Sequence, residues 1–471
     1  MGSNRQVANM DGDSPEGIAR AVVEACADCE VCRSMMIDTC LFFDELYRLH
    51  DQAAADGRPV SAKDLRRLVD RCHYCALCGC PDIRDRIIAA KTRFAERDGL
   101  GLGQRLLEDV ARTGRLCGTF PRLANRILGN GGTARIFKRL ADIHEARRLP
   151  VFPEANFDAW ARRQGLTRKP VPGTAPRVVY FAGCSGRFLF PEVPRATVTV
   201  LRQWGVDVFY PEQQCCGMPT LLEGDRRKTL AFMKANVARL ATLVAEGFTI
   251  VCSCPTCGYV FKKLLKERAY YTEAYQRSIG AAPGIMKIPV EGQSAGDAEP
   301  VYTQIPKTLC GSAIKDEGYF AAIDPLQRIA VAEHTRDAGE YLAAIRHAWP
   351  PAADGRAPAG RYVYFAPCHQ REQNIGRPYV ELLQRFPDAD ITMVDGPYDC
   401  CGMGGIMGFK KEFHDPSMRL AAPVMAKITA LRPGRIVTEC LSCRLQIMQV
   451  TDIPVAHPLE VIAEQLRGGQ D

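Results

Sequence analysis

The feature that most restricts what this chain can become is a duplicated set of five cysteines. Cys184 is followed by 30 residues, then Cys215 and Cys216 side by side, then 37 more and Cys254-Pro-Thr-Cys257. Cys368 is followed by 31 residues, then Cys400 and Cys401, then 38 more and Cys440-Leu-Ser-Cys443. The offset drifts only from 184 to 186 across the five positions, so the two sets are copies in register. Neighbouring cysteines bridge poorly, because consecutive Cα atoms lie about 3.80 Å apart and a disulfide usually needs about 4.4–6.8 Å. Ten thiols at fixed spacing therefore need another partner, and metal is the natural one. A chain of 471 residues with 46% hydrophobic content can bury a large core without disulfides. Its 21 cysteines are an odd number, and the opening "MGSNRQVANMDGDSPEG" has no apolar signal-peptide run, which suits a reducing, cytoplasmic setting. No stretch approaches 18 apolar residues, so no membrane-spanning helix is expected.

The repeat also carries a fold. "RVVYFAGCSGR" and "RYVYFAPCHQR" open the two copies with β-branched and aromatic runs. "VDVFYP", "ITMVDG", "FTIVCS" and "RIVTE" follow, separated by helical patterns such as "DRRKTLAFMKANVARLATLVAEG". Strands alternating with helices predict an α/β fold with a parallel sheet in each half, every cysteine group lying just beyond a strand at the carboxyl edge. Cys254 and Cys440 are expected to open helices, whose positive ends favour thiolate charge. The repeat extends weakly to "IAVAEHTRDAGEYL" and "IPVAHPLEVIAEQL", pairing His334 with His457 as hydrogen-bonded histidines at strand ends. Between Cys257 and His334 the first copy carries an excursion, roughly Lys262–Arg328, which reads equally as a partner-binding loop or a disordered one.

Before the repeat lie cysteines of another kind. Cys26, Cys29 and Cys32 form C-x2-C-x2-C with Cys40 eight positions on; Cys72, Cys75 and Cys78 repeat the triplet with Cys80-Pro81 close behind. This is the signature of a ferredoxin with two [4Fe–4S] clusters, in which the trailing cysteine ligates the other cluster. Cys26, Cys29, Cys32 and Cys80 are thus expected on one cluster, and Cys72, Cys75, Cys78 and Cys40 on the other. The trailing cysteines stand eight and two residues after their triplets rather than four, so the fourth ligands are the weakest part of the assignment, and zinc also accepts four thiolates. "SAKDLRRLVDR", capped by Ser61, separates the triplets and predicts a helical module. From Gly101 to Pro170 the chain holds 14 Lys and Arg against 6 Asp and Glu, on short amphipathic helical patterns. That segment fits a docking face for an anionic membrane or acidic partner, and equally a solvated linker.

The five-cysteine sets resemble the cysteine-rich "CCG" domains of the heterodisulfide reductase B component and of the iron–sulfur subunits of glycolate, lactate and anaerobic glycerol-3-phosphate dehydrogenases. "APCHQREQNIGRP" and "CCGMGGIMGFKKE" are most similar to the last of these. The resemblance implies an iron–sulfur cluster, noncubane in some relatives, on Cys184, Cys215, Cys216, Cys254 and Cys257, and another on Cys368, Cys400, Cys401, Cys440 and Cys443. One of these sites stays open to zinc. Gly217 and Gly402 would let the backbone pass close to the clusters, and Cys117, Cys252 and Cys310 are expected to be ordinary thiols. The expected organisation is a ferredoxin-like module over residues 1–98, a basic helical linker over 99–170, a first CCG domain over 171–350 with an insertion at about 262–328, and a second over 351–471.

No nucleotide-binding fingerprint accompanies the clusters: "GGTAR" and "GLGQR" lack a preceding strand, and "GCSGR" runs into the cysteine pattern. The expected role is an electron conduit between a flavoprotein dehydrogenase and a quinone or other carrier. It would be cytoplasmic or peripheral on the inner face of the membrane, with no nucleic-acid partner. Two alternatives stand beside it: reduction of a disulfide or heterodisulfide at a CCG cluster, and electron supply to a di-iron peroxidase-type protein.

Overall fold

The computed structural model describes residues 14–36, 38–75, 78–290, 300–310, 315–345, 360–386 and 389–468. Ten strands occur among them: β1 (Arg177–Phe181), β2 (Asp207–Phe209), β3 (Thr249–Cys252), β4 (Ile285–Pro289), β5 (Tyr302–Pro306), β6 (Thr335–Asp337), β7 (Gly360–Phe365), β8 (Ala389–Val394), β9 (Arg435–Val437) and β10 (Val455–Ala456). They form two four-stranded sheets, ordered β2-β1-β3-β6 and β8-β7-β9-β10, with every pair parallel. The sheets share one topology and one register: Val178 faces Thr249 in the first, and Tyr362 faces Arg435 in the second. The continuous apolar runs "VVYF" and "YVYF" suit this arrangement, since strands covered on both faces need no polar alternation.

One hydrophobic cluster draws on both sheets, joining Tyr180 and Val251 of the first to Tyr364 and Val437 of the second. Helix Glu192–Gln203 of the first half packs against helix Pro458–Gly468 of the second. The halves are thus two faces of one core, with their carboxyl edges turned toward each other.

The amino-terminal region is helical, as expected, with helices Pro15–Ala27, Glu30–Met36, Leu41–Asp56, Ala62–Asp70 and Pro81–Asp98. Ser61 caps the fourth, its hydroxyl accepting from the Asp64 N–H. The module rests on the first half, where helix Met218–Glu223 packs against Pro81–Asp98. The basic segment forms helices Leu102–Glu108, Val110–Thr119, Pro121–Gly129, Gly131–Leu140 and Phe157–Arg163. It ties the halves together: Gln104 donates to Glu223, Lys228 pairs with Glu108, and Arg148 reaches the Met448 carbonyl.

The excursion is more ordered than its composition suggested. β4 and β5 pair antiparallel, and Gln276 bonds both the N–H and the C=O of Lys287, fixing the hairpin to the preceding helix. Residues 291–299 of the excursion, the side chain of Cys310 and the first thirteen residues lie outside the described residues. No described helix is long and apolar enough to cross a membrane.

Gly217 and Gly402 hold matching left-handed turns, with φ of +82° and +77°. Their use differs from the expectation of cluster approach: a Cβ on Gly217 would lie 3.0 Å from Thr229, and one on Gly402 would collide with the Ser417 carbonyl oxygen, both in helices behind the turn. Gly217→Ala is expected to cost about 1–2 kcal/mol, chiefly for the left-handed backbone, and Gly402→Ala at least about 3 kcal/mol because backbone must also move. Melting temperatures of the two variants check this; equal losses would refute the steric account.

Candidate metal centres

The strand edges and helix starts put the cysteines where the spacing predicted. Cys184 follows β1, Cys215 and Cys216 follow β2, and Cys254 follows β3; Cys368, Cys400, Cys401 and Cys440 repeat this after β7, β8 and β9. Cys254 and Cys440 are the N-cap residues of helices Pro255–Tyr259 and Leu441–Val450. Within the sets sulfurs approach without bonding: Cys215 Sγ lies 3.6 Å from Cys184 Sγ, and Cys443 Sγ 3.1 Å from Cys401 Sγ. The Cys215 and Cys257 thiols donate to Cys216 and pull its pKa down to about 6. The Cys443 thiol, with the Met403 N–H, likewise lowers Cys401. The neighbours Cys184, Cys215, Cys257, Cys368, Cys400 and Cys443 are raised instead, so the negative charge in each set is favoured on particular sulfurs.

The helical module brings together the two interleaved groups. Cys26 is raised to about 12 by burial and by Cys32, Cys29 and Cys80; Cys40 is raised by burial and by Cys75, Cys78 and Cys72. The trailing cysteines thus stand with the opposite triplet, each at a helix start: Cys40 caps Leu41–Asp56 and Cys80 caps Pro81–Asp98.

The two five-cysteine sets face each other. A single cavity, about 90 Å³ in the space open to the centre of a water molecule, lies between the sheet edges. That is room for several water-sized bodies. Cys184, Cys216, Cys254 and Cys257 line it from one side, and Cys368, Cys400, Cys401, Cys440 and Cys443 from the other. Cys75 of the helical module and His73 reach the same cavity. His73 is buried, and its ring meets Cys400, whose thiol holds the imidazole pKa up against the effect of burial. So many sulfur donors around one cavity, with a buried imidazole against Cys400, fit a soft, multi-sulfur metal group. No three Cys, His, Asp or Glu among the described residues close on a single point as a one-ion site would require.

Residues 178–262 and 362–448 each match the CCG cysteine-rich domain. Both halves are CCG domains. The C component of the anaerobic glycerol-3-phosphate dehydrogenase of Escherichia coli K12 is 24% identical over 331 residues, 69% of this chain and 67% of the relative. Lactate utilization protein A of Bacillus pumilus is 25% identical over 236 residues, 50% of this chain and 75% of the relative. The B component of the CoM/CoB fumarate reductase of Methanothermobacter marburgensis is 34% identical over 94 residues, 20% of this chain and 18% of the relative. These relatives agree with the resemblance read from the cysteine pattern.

Behind the CCG cysteines lies a polar layer that spacing did not reveal. Tyr364 donates to Glu439 at 2.9 Å, and the Tyr180 hydroxyl lies 2.6 Å from that of Ser253. His457 Nε2 donates to the Ser253 carbonyl and its Nδ1 accepts from the Leu459 N–H, so the ring is neutral and burial lowers its pKa to about 3. The pairing of His334 with His457 does not hold. His334 precedes β6 and is exposed, whereas His457 follows β10 and is buried. Asp337 takes the equivalent place, because both cap the next helix and both give their N–H to a glutamate three residues on, Glu340 or Glu460. Cys252 lies in the core as an ordinary thiol, and Cys117 is half-buried.

Asp337 is completely buried, and desolvation raises its carboxyl to about 7. The folded state therefore keeps a proton that the unfolded chain releases near pH 4. Its stabilising effect is complete below pH 4 and drains away as the pH rises to about 7. Asp337→Asn keeps the capping oxygen without the ionisation. The fall in melting temperature between about pH 4 and pH 7 should be shallower in this variant; an unchanged slope would show that Asp337 is not the group responsible.

Proposed function

We propose that this chain is the iron–sulfur electron-relay subunit of a dehydrogenase complex. The observation that carries the reading is the continuity of its sulfur sites. Cys32 of the first helical group acts electrostatically on Cys78 of the second, and Cys75 of the second acts on Cys368 and Cys400 of the second CCG set. That set shares its cavity with the first. Bound at Cys26/Cys29/Cys32/Cys80, at Cys72/Cys75/Cys78/Cys40 and at the two CCG sets, iron–sulfur clusters would supply one-electron transfer. The thiols hold the groups, the sheet edges fix their spacing, and burial keeps water from most of them.

Similarity to a component of a dehydrogenase supports a partner dehydrogenase, read here as a flavoprotein. A cleft of about 490 Å³ beside Tyr74, walled by Tyr319, Phe320 and Leu264, offers a quinone or other carrier an approach to the relay. The basic segment supports membrane contact. Helix Pro121–Gly129 buries none of its residues, and Leu116, Phe120, Leu123, Ile136 and Leu140 stand exposed among arginines. An apolar face ringed by guanidinium groups suits the boundary of an anionic bilayer. The cavity between the CCG sets also favours a second reading, reduction of a disulfide substrate there, which turnover of a disulfide by the purified chain would separate from pure relay.

Cys401→Ser is expected to lower iron and acid-labile sulfide by about one cluster per chain while leaving the EPR signals of the helical module intact. Unchanged iron would overturn the ligand assignment, and stoichiometric zinc at either CCG set would make that set structural. The chain should float with phosphatidylserine-containing vesicles at low salt and be released at high salt, and Phe120→Glu with Leu123→Glu should abolish flotation. Retention of that double variant would exclude this face as the contact.

A further inference from the structure

The two CCG sets are alike in cysteines and unlike in charge. His73 and Arg147 both act on the second set, and of the two Arg147 is the permanent cation. Its side chain comes from the strap that follows helix Gly131–Leu140 and is completely buried. The strap is held against the second CCG domain by an antiparallel bridge between Ile143 and Lys410 and by the His144 N–H donating to the Phe409 carbonyl. Inside, the guanidinium donates to Gln446 Oε1 at 2.6 Å and to Met403 Sδ at 3.0 Å, and lies over the Phe409 ring at 4.7 Å. Its Nε has no partner, and no described carboxylate lies within ion-pair distance. Burial lowers its pKa only to about 10, so the charge is kept at neutral pH. Met403, which it contacts, stands two residues after Cys401, the cysteine that acts on it electrostatically.

A buried cation without a counter-charge is strongly unfavourable. The first CCG domain avoids that situation: its buried Arg187 is paired with Asp158 at 2.7 Å. It also cannot build the Arg147 site, because the position of Gln446 is held in the first copy by the buried Val260. Gln446 in turn donates to Ser417, and Ser417 donates to the Gly402 carbonyl of the Cys400-Cys401-Gly402 turn. Arg147 is thus mechanically joined to the cysteines that it faces.

We propose that Arg147 is a positioning residue that supplies the missing counter-charge to the second CCG set and holds its reduction potential above that of the first, so that electrons on the relay collect at Cys368, Cys400, Cys401, Cys440 and Cys443. This rests on the iron–sulfur reading of that set. One-electron reduction adds a negative charge and forms or breaks no bond, so a fixed cation nearby favours the reduced state. The first set, whose arginine is already neutralised, gains no such help.

The test is a redox titration of the iron-loaded chain followed by EPR, with Arg147→Met and Arg147→Lys beside the wild type. At a fixed potential near the midpoint, the reduced-to-oxidised ratio of the second set should fall about tenfold in Arg147→Met and recover largely in Arg147→Lys. The helical-module signals and the first set should not move. An unshifted second set in Arg147→Met with full iron overturns the role of Arg147 and leaves the relay reading standing. Zinc or no metal at that set in the wild type overturns both. Should Arg147→Met load iron poorly, melting temperatures decide. Removing iron should destabilise the wild type, which strands the cation, more than it destabilises the variant; an equal loss in both refutes the counter-charge.

Discussion

The structure depends on turning two sheet edges toward each other. In a parallel sheet the loops that leave the strands gather at one edge, and a short chain segment there can present several side chains to one point. Duplicating the unit and packing the copies across a common core of Tyr180, Val251, Tyr364 and Val437 brings two such edges face to face. Nine of the ten CCG cysteines, which would be two surface patches on separate domains, become the walls of one space. The helical module closes it by inserting His73 and Cys75.

Burying that much ionisable sulfur sets the electrostatics of the neighbourhood. Thiols stripped of water resist ionisation, as Cys26 and Cys40 do, unless other thiols or backbone N–H groups donate to them, as at Cys216 and Cys401. The layer behind holds groups whose ionisation burial opposes, the carboxyls of Asp337 and Glu439 and the imidazole of His457. Arg147 is the exception, a full charge retained despite burial.

Much of this is legible in the chain itself. The runs "VVYFAGC" and "YVYFAPC" state a buried strand and the edge beyond it, and the C-x2-C pairs mark the helix starts. Even the irregular trailing cysteines, Cys40 and Cys80, reach their groups because the start of a helix, rather than a fixed interval, positions each of them. The order of the excursion is hidden because short runs such as "IMKIP" and "YTQIP" give little periodic signal apart from each other, and a hairpin exists only when both are present. The histidine pairing fails for a related reason: similarity of letters places His334 opposite His457, whereas the capping of the following helix places Asp337 there.

By itself the sequence determined the repeat, the α/β class, the four thiol groups and the chemistry those groups invite, because each is written in spacings of a few residues along one strand-to-helix turn. Only the tertiary structure decided that the two CCG sets share a cavity, that His73 enters it, and that Arg147 lies behind one set alone. Those facts join residues separated by hundreds of positions. They follow from how two sheets and a strap pack, which no local pattern of residues encodes.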